Sequence, residues 1–239
     1  MASAVARRDE NTLDADMPMP SRAEVLARYR HLREVSKQHH CEAMNFLSDD
    51  AVLHHARRLG LASGRTFLLD DFSDMTYPLD LAIHTAAAGR TRAIDRYARS
   101  VSLVPGSDEA VVLQAMRNAR FAAIRVLRRH ETAGLIVADL FRRNEVWLVD
   151  EGMERSFSEG RLMATRLYTP DSFSMTAGVG VLFDVELLED LICEVPQLTR
   201  KRPEAAVDDR RFAEAVYRLA LERGLTEQLV YADPVAEAG

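Results

Sequence analysis

In this chain of 239 residues, His39, Glu42 and His55 have the types and spacing to hold a metal ion. Glu42 stands three positions after His39, which puts both on one face of a helix, and His55 falls on the inward stripe of the next helix. Such a His-Glu-His set would suit zinc or iron and would support metal-dependent hydrolysis. It lacks the local ligand spacing of a recognised zinc motif. Core histidines bonded to backbone or to Ser36 account for the same pattern and are the plainer expectation.

A second set suits nucleic acid. Between Arg117 and Arg166 ten arginines face seven acidic residues, an excess of +3 inside a chain whose formal charge is −6. On a small β-barrel, Arg128, Arg129, Arg142 and Arg143 would track phosphates while Trp147 stacks bases, helped by Phe141, Phe157 or Tyr168. A solvated arginine surface is the plain alternative.

The carboxylates give less. Asp139, Asp150 and Glu151 bracket the strand holding Trp147 and would divide acid and base roles if burial separated their pKa values, although Asp150-Glu151-Gly152 also reads as a turn. Asp70, Asp71 and Asp74 lack the spacing of a calcium loop and read as a solvated loop that caps a helix. Asp95 and Arg96 read as a helix-surface pair. There is no nucleotide loop and no nucleophile motif, so no catalytic residue and no cofactor is indicated.

Composition sets the bounds. Hydrophobic residues at 47% and charged residues at 28% are globular values, and no apolar run approaches the roughly 20 residues of a membrane span. The N-terminal segment has no apolar signal core, and its acidic residues do not suit a transit peptide. The two cysteines, Cys41 and Cys193, cannot build a disulfide framework and suit a reducing cytoplasm. Lysine occurs only at positions 37 and 201, so arginine supplies the other 29 of 31 basic residues, a bias expected of a high-GC bacterial genome.

The elements that must position these residues fall into four stretches. Residues 1–20 read as a disordered tail. Residues 21–120 read as helical, opening with a Ser21…Glu24 capping box and the stripe Val25, Tyr29, Leu32, Ser36, His39, Ala43, Phe46. A second helix over 50–59, with the stripe Val52, His55, Ala56, Leu59, is expected to pair antiparallel with the first. Further helices are expected from Pro78, over about 90–100 and over 107–119. Residues 121–184 alternate with strand period and make a five-stranded SH3-like or OB-like module. Residues 185–239 supply C-terminal helices at about 185–193 and 208–223, separated by an exposed Pro-containing loop. The fold class is therefore α+β: a helical N-terminal half, a five-stranded antiparallel barrel-like module, and C-terminal helices packed on the frame.

The stretches DLAIHTAAAGRTRAIDRYAR, DEAVVLQAMRNARFAAIRV and VADLFRRNEVWLVDEGMERSFSEGRLMATRL resemble a set of bacterial proteins with the same helix-then-small-barrel order over about residues 20–190. Some of those proteins carry a C-terminal SEC-C zinc motif. Beyond residue 190 this chain has one cysteine, Cys193, and no histidine, so that zinc site is missing. The resemblance implies a shape and no activity. Together these readings favour a cytoplasmic, non-enzymatic interaction or regulatory module that binds through its β-module. A protein partner is favoured over nucleic acid, no membrane is involved, and a homodimer through the face of the first helix is allowed for. The alternatives are the His-Glu-His hydrolase and a single-stranded nucleic-acid binder.

Overall fold

A computed structural model describes residues 20–69, 71–87, 89–195 and 202–225; most of the expected N-terminal tail, residues 1–19, lies outside this range. Helix α1 (Arg22–Met44) begins where Ser21 accepts from the Glu24 N–H and the Glu24 carboxylate accepts from the Ser21 N–H at 2.8 Å. Two of the orphan donors of the helix start are thereby satisfied. Its buried residues are Val25, Tyr29, Leu32, Val35, Ser36, His39 and Ala43, which is the expected stripe with Val35 added and without Phe46, which lies past the helix end and is half-buried.

Helix α2 (Asp49–Arg58) starts on a Ser48 cap, but it does not pair with α1. It packs on α3 (Thr76–His84), whereas α1 packs on α4 (Ala93–Ser100) and α5 (Asp108–Arg117). The burial explains the split. Leu53, Ala56 and Leu59 join a core with Tyr77 and Leu81, while Tyr29 and Leu32 join another with Ile94, Tyr97, Val112 and Met116. Helices adjacent in sequence thus serve two cores, and the α1 face considered for self-association is spent within the chain.

The stretch read as irregular after α2 contains a hairpin, β1 (Ala62–Ser63) and β2 (Thr66–Phe67), turned at Gly64 with φ +60°. A 3-10 turn over Phe72–Met75 follows, opened by the Asp71 side chain, which accepts from the Ser73 N–H. Pro78 sits in the first turn of α3, where its missing N–H costs nothing.

The β-module is formed by β3 (Arg120–Arg129), β4 (Leu135–Asp139), β5 (Asn144–Leu148), β6 (Leu162–Tyr168) and β7 (Met175–Leu182) in the order β5-β4-β3-β6-β7, every neighbour antiparallel. Strands β3, β4 and β5 form a meander, and β6 returns to lie beside β3, which is a Greek key. The sheet curls without closing into a barrel. Its edges touch at one end only, where Val149 donates to the Ser174 carbonyl at 3.0 Å and Ser174 to that of Trp147 at 2.8 Å.

The connection from β5 to β6 holds a helix the sequence reading missed, α6 (Glu151–Ser156), capped by Asp150 on the Met153 N–H. What reads as an Asp-Glu-Gly turn is the first turn of this helix. It places Met153 and Phe157 inside the curl, against Ile124, Val126, Leu135, Val137 and Met163.

The outer face of the sheet is covered by α7 (Val185–Glu194), α8 (Pro203–Val207) and α9 (Arg210–Glu222). Phe212, Val216 and Tyr217 meet Phe121, Ala123, Ala164 and Val181 there. Cover on both faces makes β3 buried without a break from Phe121 to Ile124. Residues 203–207, expected in a loop, are helical. The fold is α+β, and among the described residues no helix is long and apolar enough to cross a membrane.

Gly134 gives a direct test of how β4 and β5 close. Its φ is +80°, and an added Cβ would sit 2.3 Å from the Leu148 carbonyl oxygen and 3.0 Å from the Val149 Cα. Both obstacles are backbone, so Gly134→Ala is expected to cost at least about 2 kcal/mol, read as a lower urea midpoint. An unchanged midpoint would refute the contact.

Candidate functional site

Arg166 lies on β6, where every residue from Met163 to Tyr168 is buried, and a guanidinium there requires a counter-charge. Asp80 of α3 supplies it in a two-pronged pair, Nε to Oδ1 at 2.9 Å and Nη2 to Oδ2 at 2.8 Å. Tyr217 of α9 donates its hydroxyl to Asp80 Oδ2 at 3.0 Å, so one buried carboxylate ties three elements together. Burial alone would raise the Asp80 pKa, but the Arg166 charge and its hydrogen bonds bring it down to about 2. Asp80 in turn holds Arg166 above its ordinary value in spite of burial.

His84 follows one turn after Asp80. It is 5% exposed, and neither ring nitrogen has a hydrogen-bond partner. The ring of His40, from α1, lies edge-on to it with centroids 5.8 Å apart. Burial, reinforced by the charge of Arg166, holds His84 well below the imidazole range. His40 is pushed to about 4 by burial and by Arg33. Both rings are therefore neutral at pH 7.

His84 and Arg166 line a cleft of about 480 Å³, walled by the end of α3, the start of α4, the α5–β3 junction and the start of α9. Its charged lining is Arg92, Arg117, Arg120, Arg166 and Arg210 against Asp208 and Asp209. Several of these charges are already answered. Asp95 pairs with Arg92 at 2.7 Å and Arg117 at 3.1 Å, Asp208 pairs with Arg142 at 2.5 Å, and Asp209 pairs with Arg211 at 2.6 Å while capping α9. Among the described residues Arg120 and Arg210 have no ion-pair partner; Arg210 donates to the Ala86 carbonyl at 3.2 Å. Thr85, also on the wall, spends its hydroxyl on the Leu81 carbonyl at 2.6 Å. The cleft thus offers cationic donors beside a neutral imidazole, a combination that attracts an anion.

The residues singled out from the sequence lie elsewhere. His39 is buried, with Nδ1 2.8 Å from the Tyr97 hydroxyl and Nε2 2.9 Å from the Glu109 carbonyl. The carbonyl can only accept, so Nε2 carries the proton and Nδ1 accepts from Tyr97. Glu42 is exposed beside Asn45. His55 is half-buried next to His54 and pushed to about 4 by burial and then by His54. Because α1 and α2 diverge, the structure does not bring this triad together, and no group of three His, Cys, Asp or Glu residues fit for a metal occurs among the described residues.

The nucleic-acid set is divided. Arg142 is held between Asp139 and Asp208. Arg128 pairs with Glu145 at 3.2 Å and Arg129 lies 3.7 Å from Glu154, both lining a separate cleft of about 590 Å³ at the end of the sheet. Arg143 is exposed at the β4–β5 turn with φ +56°. Trp147 stacks on His130 at 4.1 Å, meets the edge of Phe173 at 5.7 Å and donates Nε1 to the Ala133 carbonyl.

The carboxylates expected near a barrel mouth are structural. Asp139 caps the Phe141 and Arg142 N–H groups, Asp150 caps α6 and accepts from the Thr176 hydroxyl, and Glu151 pairs with Arg30. Asp70 lies outside the described residues, and Asp71 caps the 3-10 turn. Asp95 pairs with Arg92 and Arg117 in place of Arg96, which reaches the Thr91 and Phe46 carbonyls. Sequence reasoning missed His84, Arg120 and Arg210. Only Arg120 had a signal, as one of the arginines in the excess between Arg117 and Arg166.

Comparison with curated proteins and with solved structures gives no match. A family model matches residues 23–229, nearly the whole of the structure described, and the chain belongs to that family, the family of unknown function DUF7986.

Proposed function

We propose that this protein is a non-enzymatic ligand-binding module of the interaction or regulatory kind, and that its cleft holds a small anionic ligand. The observation that carries the reading is the cleft at the Asp80–Arg166 pair, where Arg120 and Arg210 stand without counter-charges among the described residues above a neutral, unpartnered His84. The walls come from the helical layer, the β-module and α9, so a ligand there would bear on how the three pack, which suits a regulatory role. The volume falls within the range of small-molecule sites. A bacterial cytoplasm belongs to the same proposal, supported by the arginine bias and the two free, exposed thiols Cys41 and Cys193. A protein partner that reads the liganded state completes it.

Calorimetry with inorganic phosphate tests the reading. Saturable binding is expected, weakening by about tenfold for each of Arg120→Ala and Arg210→Ala, the value of one charge-assisted hydrogen bond. Binding that is absent at low salt, or that ignores both substitutions, would refute it.

A further inference from the structure

The cleft has two ends of different chemistry. At the buried end Asp80 answers Arg166 and also accepts from the Tyr217 hydroxyl, so the fixed charges there are balanced. An anion placed there would meet Asp80 and lose its hydration without a free cation to replace it. The other end carries the positive charge. Arg120 is half-buried and Arg210 exposed, neither with an ion-pair partner among the described residues, and α9 begins between Asp209 and Arg210.

His84 sets what the buried end can accept. A neutral imidazole presents one N–H donor and one lone-pair acceptor, and both are unanswered in the protein. A hydroxyl group can accept from the N–H of such a ring or donate to its lone pair, whereas an alkyl group would leave both nitrogens unpaired. The cleft volume of about 480 Å³ leaves room for an organic body between the two ends. At the outer end, the terminal oxygens of a phosphate monoester can serve two arginine forks together.

We infer that the ligand is a hydroxylated phosphate monoester of the sugar-phosphate class, with its phosphate between Arg120 and Arg210 and a hydroxyl against His84. This rests on the anion-binding reading above and deepens it.

The test compares ribose phosphate, pentyl phosphate and inorganic phosphate by calorimetry on the full chain and on His84→Leu and His84→Asn. Ribose phosphate is expected to bind at least about tenfold more tightly than pentyl phosphate. His84→Leu should erase that preference, and His84→Asn, which keeps a donor and an acceptor, should restore part of it. Equal affinity of the unaltered protein for the two esters would overturn the sugar-phosphate inference and leave the anion site standing. Failure of all three probes to bind would overturn both. The comparison on the unaltered protein is decisive even if a His84 variant does not fold.

Discussion

Replacing Asp80 with Ala is expected to remove about 3–5 kcal/mol of stability, the cost of leaving a buried charge without its partner. Arg166 is 5% exposed, so its guanidinium cannot recover hydration when the carboxylate is lost, and the Tyr217 hydroxyl loses its acceptor as well. A measured stability of typical size, roughly 5–15 kcal/mol, would be largely consumed. The control separates charge from packing. Asp80→Leu combined with Arg166→Met removes both charges and is expected to recover most of the loss, since a buried ion pair replaced by apolar groups of similar size is often neutral or better. Urea denaturation of the three proteins decides the matter. If Asp80→Ala costs less than about 1 kcal/mol, the pair does not anchor the buried end of the cleft.

Acid lability between about pH 6.5 and pH 4 is the second large effect. His40 and His55 are each held at about 4 in the folded chain, against about 6.5 in an unfolded one. Above pH 6.5 both states are neutral and the histidines contribute no pH dependence. As the pH falls below 6.5 the unfolded chain takes up protons that the folded chain refuses, and stability is lost until the folded pKa is reached. Each ring then accounts for up to about 3 kcal/mol, at about 1.4 kcal/mol per pH unit. His84, held well below the imidazole range in the folded chain, acts in the same direction.

Asp80 behaves differently within the same cluster. Its folded value of about 2 lies below the ordinary carboxylate value of about 3.9, so its contribution is intact throughout that window and is lost only as the pH falls from about 4 towards 2. The urea midpoint should therefore drop steeply between pH 6.5 and pH 4.5, and His40→Asn should flatten part of the slope. A midpoint unchanged from pH 7 to pH 5 would contradict the neutral state of these rings.

Much of the fold could be read from local pattern. The Ser21 capping box, the α1 stripe and the period-2 strands each follow from contacts close in sequence, and they appear where expected. What could not be read depends on distant partners. The divergence of α1 and α2 is set by whether Tyr97 and Met116 or Tyr77 and Leu81 cover a face, and amphipathic spacing is blind to that choice. Helix α6 is short and contains Gly152, so its propensity is poor; Asp150 and the packing of Met153 decide it.

The cleft was legible only as an arginine excess. Arg166 and Asp80 are 86 positions apart, and the isolation of Arg120 and Arg210 emerges only once Asp95, Asp208 and Asp209 have chosen their arginines. Histidine type and helical spacing drew attention to His39, which the fold satisfies with Tyr97 and Glu109. The histidine left unsatisfied at the cleft, His84, had no sequence signal.

A crystal structure of the protein soaked with tungstate, an electron-dense phosphate analogue located by its anomalous signal, would show whether the cleft holds an anion. A peak is expected in the cleft in contact with the Arg120 and Arg210 side chains, lost in the crystal of the Arg120→Ala, Arg210→Ala protein. Anomalous peaks confined to other surfaces, with the cleft holding none, would contradict the anion-binding reading.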